Sequence, residues 1–247
     1  MLIIEPNNLL IRNNNFDIEG NYQIKVVFFS DIHIGQQRPG YLEDIVTKVN
    51  AQNPDIILIG GDIIDRSESE LALLEPLKNL KSKYGTYAVL GNHDYGNWGC
   101  GMPTGLGEKV AEKLSELKIT VLRNDNRMVT ANGTKIAIVG LDDAWMCLED
   151  YQKAIIGLDN ISKIIVAHNQ FAMEEEEMEE NFIVLSGHTH CSQIRIPILS
   201  DLVLEPFFGK IGGQYAYGNG TLYVSCGVAS GTVRFLAPPE INVIQLE

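Results

Sequence analysis

The sequence predicts a single α/β domain, and three observations support this fold class. The chain has 247 residues, close to the roughly 250–300 residues at which single hydrophobic cores stop growing. Strand-like and helix-like segments alternate in the first half, as they do in βαβ units. The second half contains a hairpin signal and a higher density of strands. We therefore expect one domain over residues 1–247, with more antiparallel pairing towards the C-terminus.

The first half alternates short buried strands with helices. We predict strands at 24–29, 55–59 and 87–90, because each is an apolar or β-branched run that stops at a polar or glycine residue. We predict helices at 42–49, 69–80 and 108–117, where apolar residues recur at helical spacing. Pro76 lies inside the second of these helices and predicts a kink or a split there.

The second half begins with a hairpin. Asn132-Gly133 lies between the strand-like segments 127–131 and 134–139, which is a strong signal for a two-residue turn. Further strands are predicted at 163–167, 182–185, 222–225 and 243–246. The stretch 197–220 mixes glycine, proline and aromatic residues and supports no assignment.

The charge balance excludes some partners. The chain has 32 acidic and 19 basic residues, which gives a net charge of −13. Such a surface repels phosphate backbones, so we expect no duplex nucleic acid as a partner. It also disfavours docking on anionic membranes through a basic patch.

The cysteines and the N-terminus bear on location. No apolar run approaches the roughly 20 residues that span a bilayer, and the N-terminus lacks the basic and small-residue features of a signal peptide. Cys100, Cys147, Cys191 and Cys226 form no Cys-x-x-Cys pair. We therefore expect reduced thiols in a cytoplasmic protein.

All five histidines follow predicted strands, in the company of aspartate, asparagine and glycine. The segments are Asp31-Ile32-His33, Gly60-Gly61-Asp62 with Asp65-Arg66, Gly91-Asn92-His93-Asp94, His168-Asn169 and Gly187-His188-Thr189-His190. Strand ends at one edge of an open sheet are where α/β proteins place ligands. Mixed oxygen and nitrogen donors suit Mn²⁺, Fe or Zn²⁺. This joint placement favours a metal site over five structural histidines.

These five motifs, in this order, resemble the calcineurin-like metallophosphoesterase family over nearly the whole chain, from about residue 27. The resemblance implies a four-layer α/β/β/α sandwich of two mixed sheets flanked by helices. The sequence is most similar to a bacterial branch whose last motif is Gly-His-Thr-His-Gly-Gly-Gln and whose members often begin with a membrane anchor or an export signal. Here that motif is Gly-His-Thr-His-Cys191-Ser192-Gln193, and the branch's His-Asn-Pro is His168-Asn169-Gln170.

The resemblance also implies the ligands of two divalent or trivalent metal ions. One ion would be bound by Asp31, His33 and His190, and the other by Asn92, His168 and His188. Asp62 would bridge the two ions, because a carboxylate has two oxygens. We favour Mn²⁺, with Fe or Zn²⁺ as alternatives.

The remaining motif residues are expected to act on the substrate. A hydroxide that bridges the ions would attack phosphorus, and His93 would protonate the leaving group or stabilise the transition state. Asp65 is expected to orient His93. Arg66, together with Asn92 and His93, is expected to contact phosphate, although Arg66 could equally be a surface residue. Asp94 is as suited to a turn or helix-capping role as to catalysis.

The expected reaction is hydrolysis of a phosphodiester or pyrophosphate bond in a small or lipid-linked substrate, including nucleoside diphosphate derivatives. Several members of the similar branch act on such bonds. A phosphomonoesterase or protein phosphatase is the alternative within enzymes, and a non-catalytic scaffold of the same fold is the alternative outside them. We expect no obligate protein partner.

Four further features have more than one interpretation. Trp98, Met102, Trp145, Phe207 and Phe208 could line a groove for an acyl chain, stack on a nucleobase or pack under loops. The Phe207-Phe208 pair also motivates a peripheral membrane contact through residues 197–217. Residues 96–107 are glycine-rich and could form a lid. The acidic run at 174–180 could be a cation reservoir or a partner site, and its spacing favours a solvated helix face. Cys191 suits either a reactive thiol or a small packed residue.

Overall fold

The computed structural model describes residues 8–16, 18, 22–96, 99–101, 104–131, 133–173, 182–196, 198–230 and 233–246. In these ranges the chain forms twelve strands in two six-stranded sheets. The strands are β1 (Leu10–Phe16), β2 (Ile24–Phe29), β3 (Ile56–Gly60), β4 (Thr86–Val89), β5 (Thr120–Val121), β6 (Asp125–Ala131), β7 (Thr134–Gly140), β8 (Lys163–Val166), β9 (Phe182–Ser186), β10 (Gly213–Tyr217), β11 (Gly220–Val224) and β12 (Glu240–Leu246).

Four α-helices accompany the described strands, together with several 3₁₀ segments. The helices are α1 (Tyr41–Ala51), α2 (Leu106–Glu116), α3 (Tyr151–Ala154) and α4 (Leu199–Phe208). The 3₁₀ segments include Ile34–Gln36, Glu68–Asn79, Asn92–Tyr95, Gln170–Ala172 and His190–Ser192.

Both sheets are mixed, as the resemblance implies. In the first sheet, ordered β1-β12-β2-β3-β4-β5, strands β2 to β5 are parallel and β12 runs antiparallel to β2. In the second, ordered β10-β11-β9-β8-β7-β6, strands β7, β8, β9 and β11 are parallel. The edge strands β6 and β10 are antiparallel to their neighbours. The parallel strands of each sheet therefore end at a common edge.

The strands have two buried faces because each sheet lies between two layers. Val26 and Phe28 point into a core shared with Ile164 of the other sheet, while Val27 and Phe29 pack towards α1 and α2 on the outer side. The outer face of the second sheet packs against α3 and the turn at Gln170–Ala172. The predicted four-layer sandwich is confirmed, although its fourth layer is short. A single domain over residues 1–247 stays a prediction.

One predicted helix is wrong in type. Helices α1 and α2 confirm the predictions at 42–49 and 108–117, but residues 69–80 fall in the 3₁₀ segment Glu68–Asn79. Pro76 explains the difference, because its ring would clash with the carbonyl of Ala72 in an α-helix. The helical spacing of the apolar residues still buries Leu74 and Leu77 against the first sheet.

Strands β1 and β10 and helix α4 were not predicted. The β1 segment contains three consecutive asparagines, which are depleted in strands, and it is ordered by parallel pairing with β12 at the edge of the sheet. β10 and α4 lie in the stretch that supported no assignment. β1 thus depends on a partner that is distant in sequence, whereas β10 forms a hairpin with the adjacent β11, with Tyr217 opposite Gly220.

Some predicted features fall partly or wholly outside the described residues. The hairpin is confirmed by the antiparallel pairing of β6 and β7, with Ala131 opposite Thr134, but its turn residue Asn132 lies outside them. Trp98, Met102, Pro197 and the acidic run at 174–180 also lie outside, so the lid and the solvated acidic helix stay predictions.

The cysteines are not free thiols, so this expectation is wrong. The structure pairs Cys100 with Cys147 and Cys191 with Cys226, across sequence separations of 47 and 35 residues. Cys191 is therefore neither a reactive thiol nor a small unpaired residue. Because disulfides persist mainly in oxidising compartments, the thiol argument for a cytoplasmic location no longer holds.

Replacing both Cys191 and Cys226 with serine should lower the free energy of unfolding. The disulfide closes a 35-residue separation, for which the chain-entropy model gives about 3–4 kcal/mol. Urea unfolding of the double variant and of the native protein measures the difference. Equal free energies of unfolding for the two proteins would show that this bond does not form. Four titratable thiols in the wild-type protein, denatured without a reducing agent, would show the same.

Candidate metal centre

The predicted metal ligands converge where the two sheets meet. Strands β2, β3 and β4 end in the segments that carry Asp31, Asp62 and Asn92, and β8 and β9 end before His168 and His188. Backbone hydrogen bonds join neighbouring segments at this edge: Asp31 N–H donates to Gly61 O (2.9 Å), His33 N–H to Asp62 O (3.0 Å) and Gly187 N–H to His168 O (2.9 Å). The fold thus brings five distant motifs to one place.

The ligand atoms form two adjoining clusters. In the first, His33 Nε2 lies 3.2 Å from His190 Nε2, which lies 3.6 Å from Asp31 Oδ1. In the second, His168 Nε2 lies 3.2 Å from both His188 Nδ1 and Asp62 Oδ2. Each cluster offers three ligand atoms within 4.8 Å of one another.

Asp62 joins the two clusters. Its Oδ2 atom is 3.5 Å from His33 Nε2 in the first cluster and 3.2 Å from His168 Nε2 in the second. Its Oδ1 accepts the His93 backbone N–H at 2.9 Å. The carboxylate is buried at 2% exposure, so its charge is compensated by the imidazoles around it rather than by water.

Asn92 provides an observation that favours a bound cation. The residue is 1% exposed, and within the described part of the chain neither its Oδ1 nor its Nδ2 atom has a hydrogen-bond partner. A buried amide without partners costs roughly 1–3 kcal/mol, and native proteins rarely tolerate this without a function. A metal ion bound to Oδ1 would satisfy the oxygen. The donor set of carboxylate, imidazole and amide fits such an ion.

Backbone strain marks the same residues. Asp31, His33, Asp62, His188 and His190 all have φ between 44° and 69°, a region that residues other than glycine seldom adopt. Strain of this kind is concentrated at functional sites, where the surrounding structure must hold it in place. The coincidence of strain with the predicted ligands is independent support for the site.

Two glycines permit the close approach of the clusters. A Cβ atom on Gly91 would lie 2.3 Å from Asp62 Oδ1, and one on Gly187 would lie 2.4 Å from Asp31 Oδ2. Any side chain at either position would displace a carboxylate from the centre.

Neighbouring groups orient the ligands. His168 Nδ1–H donates to Gly60 O at 2.8 Å, which turns Nε2 towards Asp62 Oδ2, 3.2 Å away. Asp94 is not in the centre: its carboxylate accepts backbone N–H groups of Ile63, Ile64 and Gly91 at 2.9–3.0 Å. Of its two predicted roles, the structure supports the turn-stabilising one.

The electrostatics of the metal-free centre divide the histidines into two classes. Burial lowers the pKa of His168, but the adjacent Asp62 carboxylate outweighs it and places the pKa well above 6.5. Burial is likewise outweighed at His33, whose pKa is raised by Asp65, Asp62 and Asp31. Burial dominates at His188 and His190 and lowers each pKa to about 4. At pH 7, His188 and His190 are therefore neutral imidazoles, whereas the Asp62 carboxylate favours the imidazolium form of His168.

Metal binding at pH 7 should therefore release protons. A metal ion needs neutral imidazoles, and the raised pKa of His168 means that its proton must leave. We expect at least about one proton released per chain. Calorimetric titration with Mn²⁺ in buffers of different ionisation enthalpy measures this number. A binding enthalpy that is independent of the buffer would contradict the charge assignment.

His93, Asp65 and Arg66 lie together beside the clusters. His93 Nδ1 is 2.6 Å from Asp65 Oδ1, and His93 Nε2 is 2.7 Å from Arg66 Nη2. Since Arg66 can only donate, Nε2 accepts and Nδ1–H donates to Asp65. The His33 imidazole, whose Nδ1 lies 3.5 Å from Asp65 Oδ1, and hydrogen bonds from Gln36 and His93 hold the pKa of Asp65 well below its usual value despite partial burial. Arg66 is thus part of this group rather than a detached surface residue.

Two residues at the centre, Arg234 and Asp143, were missed by the sequence analysis. Arg234 is fully buried, donates to Cys226 O and Ala237 O, and places Nη2 3.5 Å from His190 Nδ1. Its positive charge contributes to the lowered pKa of His190. Asp143 receives a hydrogen bond from Asn169 Nδ2, and Trp145 packs against His188. Asp143 follows strand β7, so the strand-end criterion could have found it, whereas Arg234 has no local signal. Trp145 was among the aromatic residues for which the sequence analysis proposed a groove-lining or packing role.

The sequence profile of the calcineurin-like phosphoesterase family matches residues 24–192. The chain belongs to this family. A relative from Bacillus subtilis, described as the uncharacterized metallophosphoesterase YkuE, is 33% identical over 90% of this chain and 79% of its own length. Phosphodiesterase YaeI of Escherichia coli is 29% identical over 90% of this chain and 82% of its own length. Three further bacterial relatives are longer, and the chain spans about 60% of them.

Solved structures support the fold. The structure of TT1561 from Thermus thermophilus superposes with a TM-score of 0.54 at 12% sequence identity, over 83% of this chain and 90% of that one. This similarity shows the sandwich architecture alone. Family membership identifies the chain as a metal-dependent phosphoric ester hydrolase, and the clusters provide candidate metal ligands. Among the described residues, no helix is long and apolar enough to span a membrane.

Proposed function

We propose that this chain hydrolyses a phosphodiester or pyrophosphate bond in a small or lipid-linked substrate, with two metal ions at the centre. The position of Asp62 carries the proposal, because its Oδ2 atom lies within 3.5 Å of imidazole nitrogens from both clusters. The name of the YaeI relative as a phosphodiesterase and the net charge of −13, which disfavours nucleic acid, support the choice of substrate.

We propose that the chain would hold one ion through Asp31, His33 and His190 and the other through Asn92, His168 and His188, with Asp62 between them. Bound there, the ions would supply an acidified water for attack on phosphorus and would neutralise phosphate charge. Mn²⁺ is the ion we favour, with Fe or Zn²⁺ as alternatives. The chain's own contribution is to orient these ligand side chains towards the two ion sites and to bury most of them.

His93 is proposed as the proton donor to the leaving group, with Asp65 as its positioning residue. Burial lowers the pKa of His93, so it is neutral at pH 7 and its Nε2 accepts from Arg66. A phosphate that arrives here would take the hydrogen bond from Arg66 and would raise the His93 pKa, because a nearby anion favours the imidazolium. His93 would then donate from Nε2. Arg66 and Asn92 complete the proposed phosphate contacts.

We also propose a peripheral membrane contact, which the exposed Phe207 and Phe208 support. The cytoplasmic location stays a prediction from the sequence, and the disulfides disfavour it. Flotation with uncharged vesicles tests membrane contact. Equal flotation of the native protein and of the variant with both phenylalanines replaced by serine would contradict this membrane contact.

Comparison of two chromogenic substrates tests the proposed bond. Bis(p-nitrophenyl) phosphate is a diester, and p-nitrophenyl phosphate is a monoester with the same leaving group. We expect kcat/KM of the Mn²⁺-loaded protein to be higher for the diester. A strong preference for the monoester would overturn the proposal in favour of a phosphomonoesterase.

A further inference from the structure

An apolar cavity lies directly beside the metal centre. It has a volume of about 460 Å³ and is lined by the candidate ligand His188 together with Trp145, Phe171, Leu204, Phe207 and Phe208. The Trp145 ring centroid is 5.0 Å from that of His188. A molecule held in the centre by its phosphate would therefore have this cavity as its neighbour.

Helix α4 forms the outer wall of the cavity and keeps much apolar surface in solvent. Eight of the fifteen large exposed apolar side chains found among the described residues lie between residues 194 and 208. Phe207 is 78% exposed and Leu202 is 73% exposed. Contiguous apolar surface of this kind usually marks a binding site.

The charges of this segment neutralise one another. Residues 194–210 contain four charged residues, and they form two ion pairs, Arg195 with Asp201 at 3.2 Å and Lys210 with Glu205 at 3.1 Å. No excess of one sign is left to attract an acidic or basic partner. The complementary occupant is therefore an uncharged apolar group.

The hydroxyl groups of the cavity wall already donate hydrogen bonds to the protein backbone. Thr189 Oγ1 donates to Ile211 O, and Ser192 Oγ donates to backbone carbonyls at Cys191 and Ile194. A nucleobase in the cavity would lose the hydrogen bonds that its polar edges make to water, and the Thr189 and Ser192 hydroxyls would not replace them because they already donate to backbone carbonyls. A hydrocarbon chain loses nothing polar on entering and gains from burial.

We propose that this cavity binds a hydrocarbon chain of the substrate, attached to the phosphate that reacts at the metal centre. The inference rests on the proposed function and makes it more specific: the scissile phosphate carries an alkyl or acyl group on the side of His188. Phe207 and Leu204 of α4 then select substrates by chain length.

A series of alkyl p-nitrophenyl phosphodiesters tests the proposal, from methyl to octyl, in solution below the concentration at which they aggregate. Each buried methylene contributes up to about fourfold in binding, so kcat/KM should rise at least ~30-fold along the series. Phe207→Ser should flatten this rise, because it lowers kcat/KM for the octyl ester more than for the methyl ester. Leu202→Ser is the matched control, since Leu202 lies on the same helix and does not line the cavity.

A binding measurement separates this inference from the proposed function. Calorimetry with octylphosphonate and methylphosphonate requires no turnover, and we expect tighter binding of the octyl compound with a negative heat-capacity change. Failure to hydrolyse any ester would count against the proposed diesterase, while chain-dependent phosphonate binding would still support the cavity. Equal kcat/KM for all esters and equal binding of the two phosphonates would overturn the inference. An equal loss of the chain-length dependence of kcat/KM in Leu202→Ser and Phe207→Ser would also overturn it. A self-associated protein that binds neither phosphonate would show that a second copy covers α4, which would also overturn it.

Discussion

Asp62→Asn is expected to lower kcat for bis(p-nitrophenyl) phosphate on the order of 10³-fold, because metal-based charge stabilisation contributes several kcal/mol to the barrier. Asp62 lies between both ligand clusters, so an amide there removes one negative charge from both proposed ion sites. Metal content should also fall below two ions per chain. Steady-state kinetics and elemental analysis of the same preparation measure the two effects.

Asp44→Asn is the control for Asp62→Asn, because Asp44 is an exposed carboxylate on α1 that pairs with Arg38. The control should retain its metal content and kcat. Circular dichroism and thermal unfolding establish that both variants are folded. An Asp62→Asn protein with two ions and native kcat would exclude the bridging role.

His93→Gln is expected to lower kcat by about 10²–10⁴-fold, the range for loss of a general acid, while both ions stay bound. The imidazole contacts Asp65 and Arg66 through its two nitrogens, and only the proton donor is removed. Asp65→Asn should have a smaller effect on kcat, because it perturbs the orientation of His93 and leaves the imidazole in place.

Metal content decides between two roles of His93. Its ring also lies within ligand distance of His33 and Asp62, so the geometry alone permits direct coordination. Loss of one ion in His93→Gln, with native metal content in Asp65→Asn, would make His93 a ligand and contradict its role as proton donor. A less reactive leaving group in place of p-nitrophenol should make the defect larger if His93 protonates that group.

The sequence predicted the candidate centre better than it predicted the elements around it. Asp31 and Asp62 follow neighbouring parallel strands of the first sheet, so local pattern and strand topology suffice to bring them together. His168 and His190 follow strands of the second sheet, so their approach to Asp62 and to His33, at 3.2 Å each, also requires the packing of the two sheets. Chemistry that is encoded at strand ends is thus visible before the fold is known.

The missed features depend on contacts between distant segments. Arg234 reaches the centre only because the chain after β11 returns beside His190, and nothing near Arg234 in the sequence indicates this. The disulfide between Cys191 and Cys226 likewise joins two loops that only the fold brings together. Strand β1 is ordered by β12, from the opposite end of the chain.

Reconstitution of the metal-stripped protein tests whether turnover needs two metal ions. Mn²⁺, Fe²⁺ or Zn²⁺ is added in steps to protein of known concentration, and hydrolysis of bis(p-nitrophenyl) phosphate is followed together with the amount of bound metal. We expect no turnover without metal and full turnover only at two bound ions per chain. Full turnover at one ion, or none at two bound ions of any of these metals, would contradict a dinuclear phosphodiesterase.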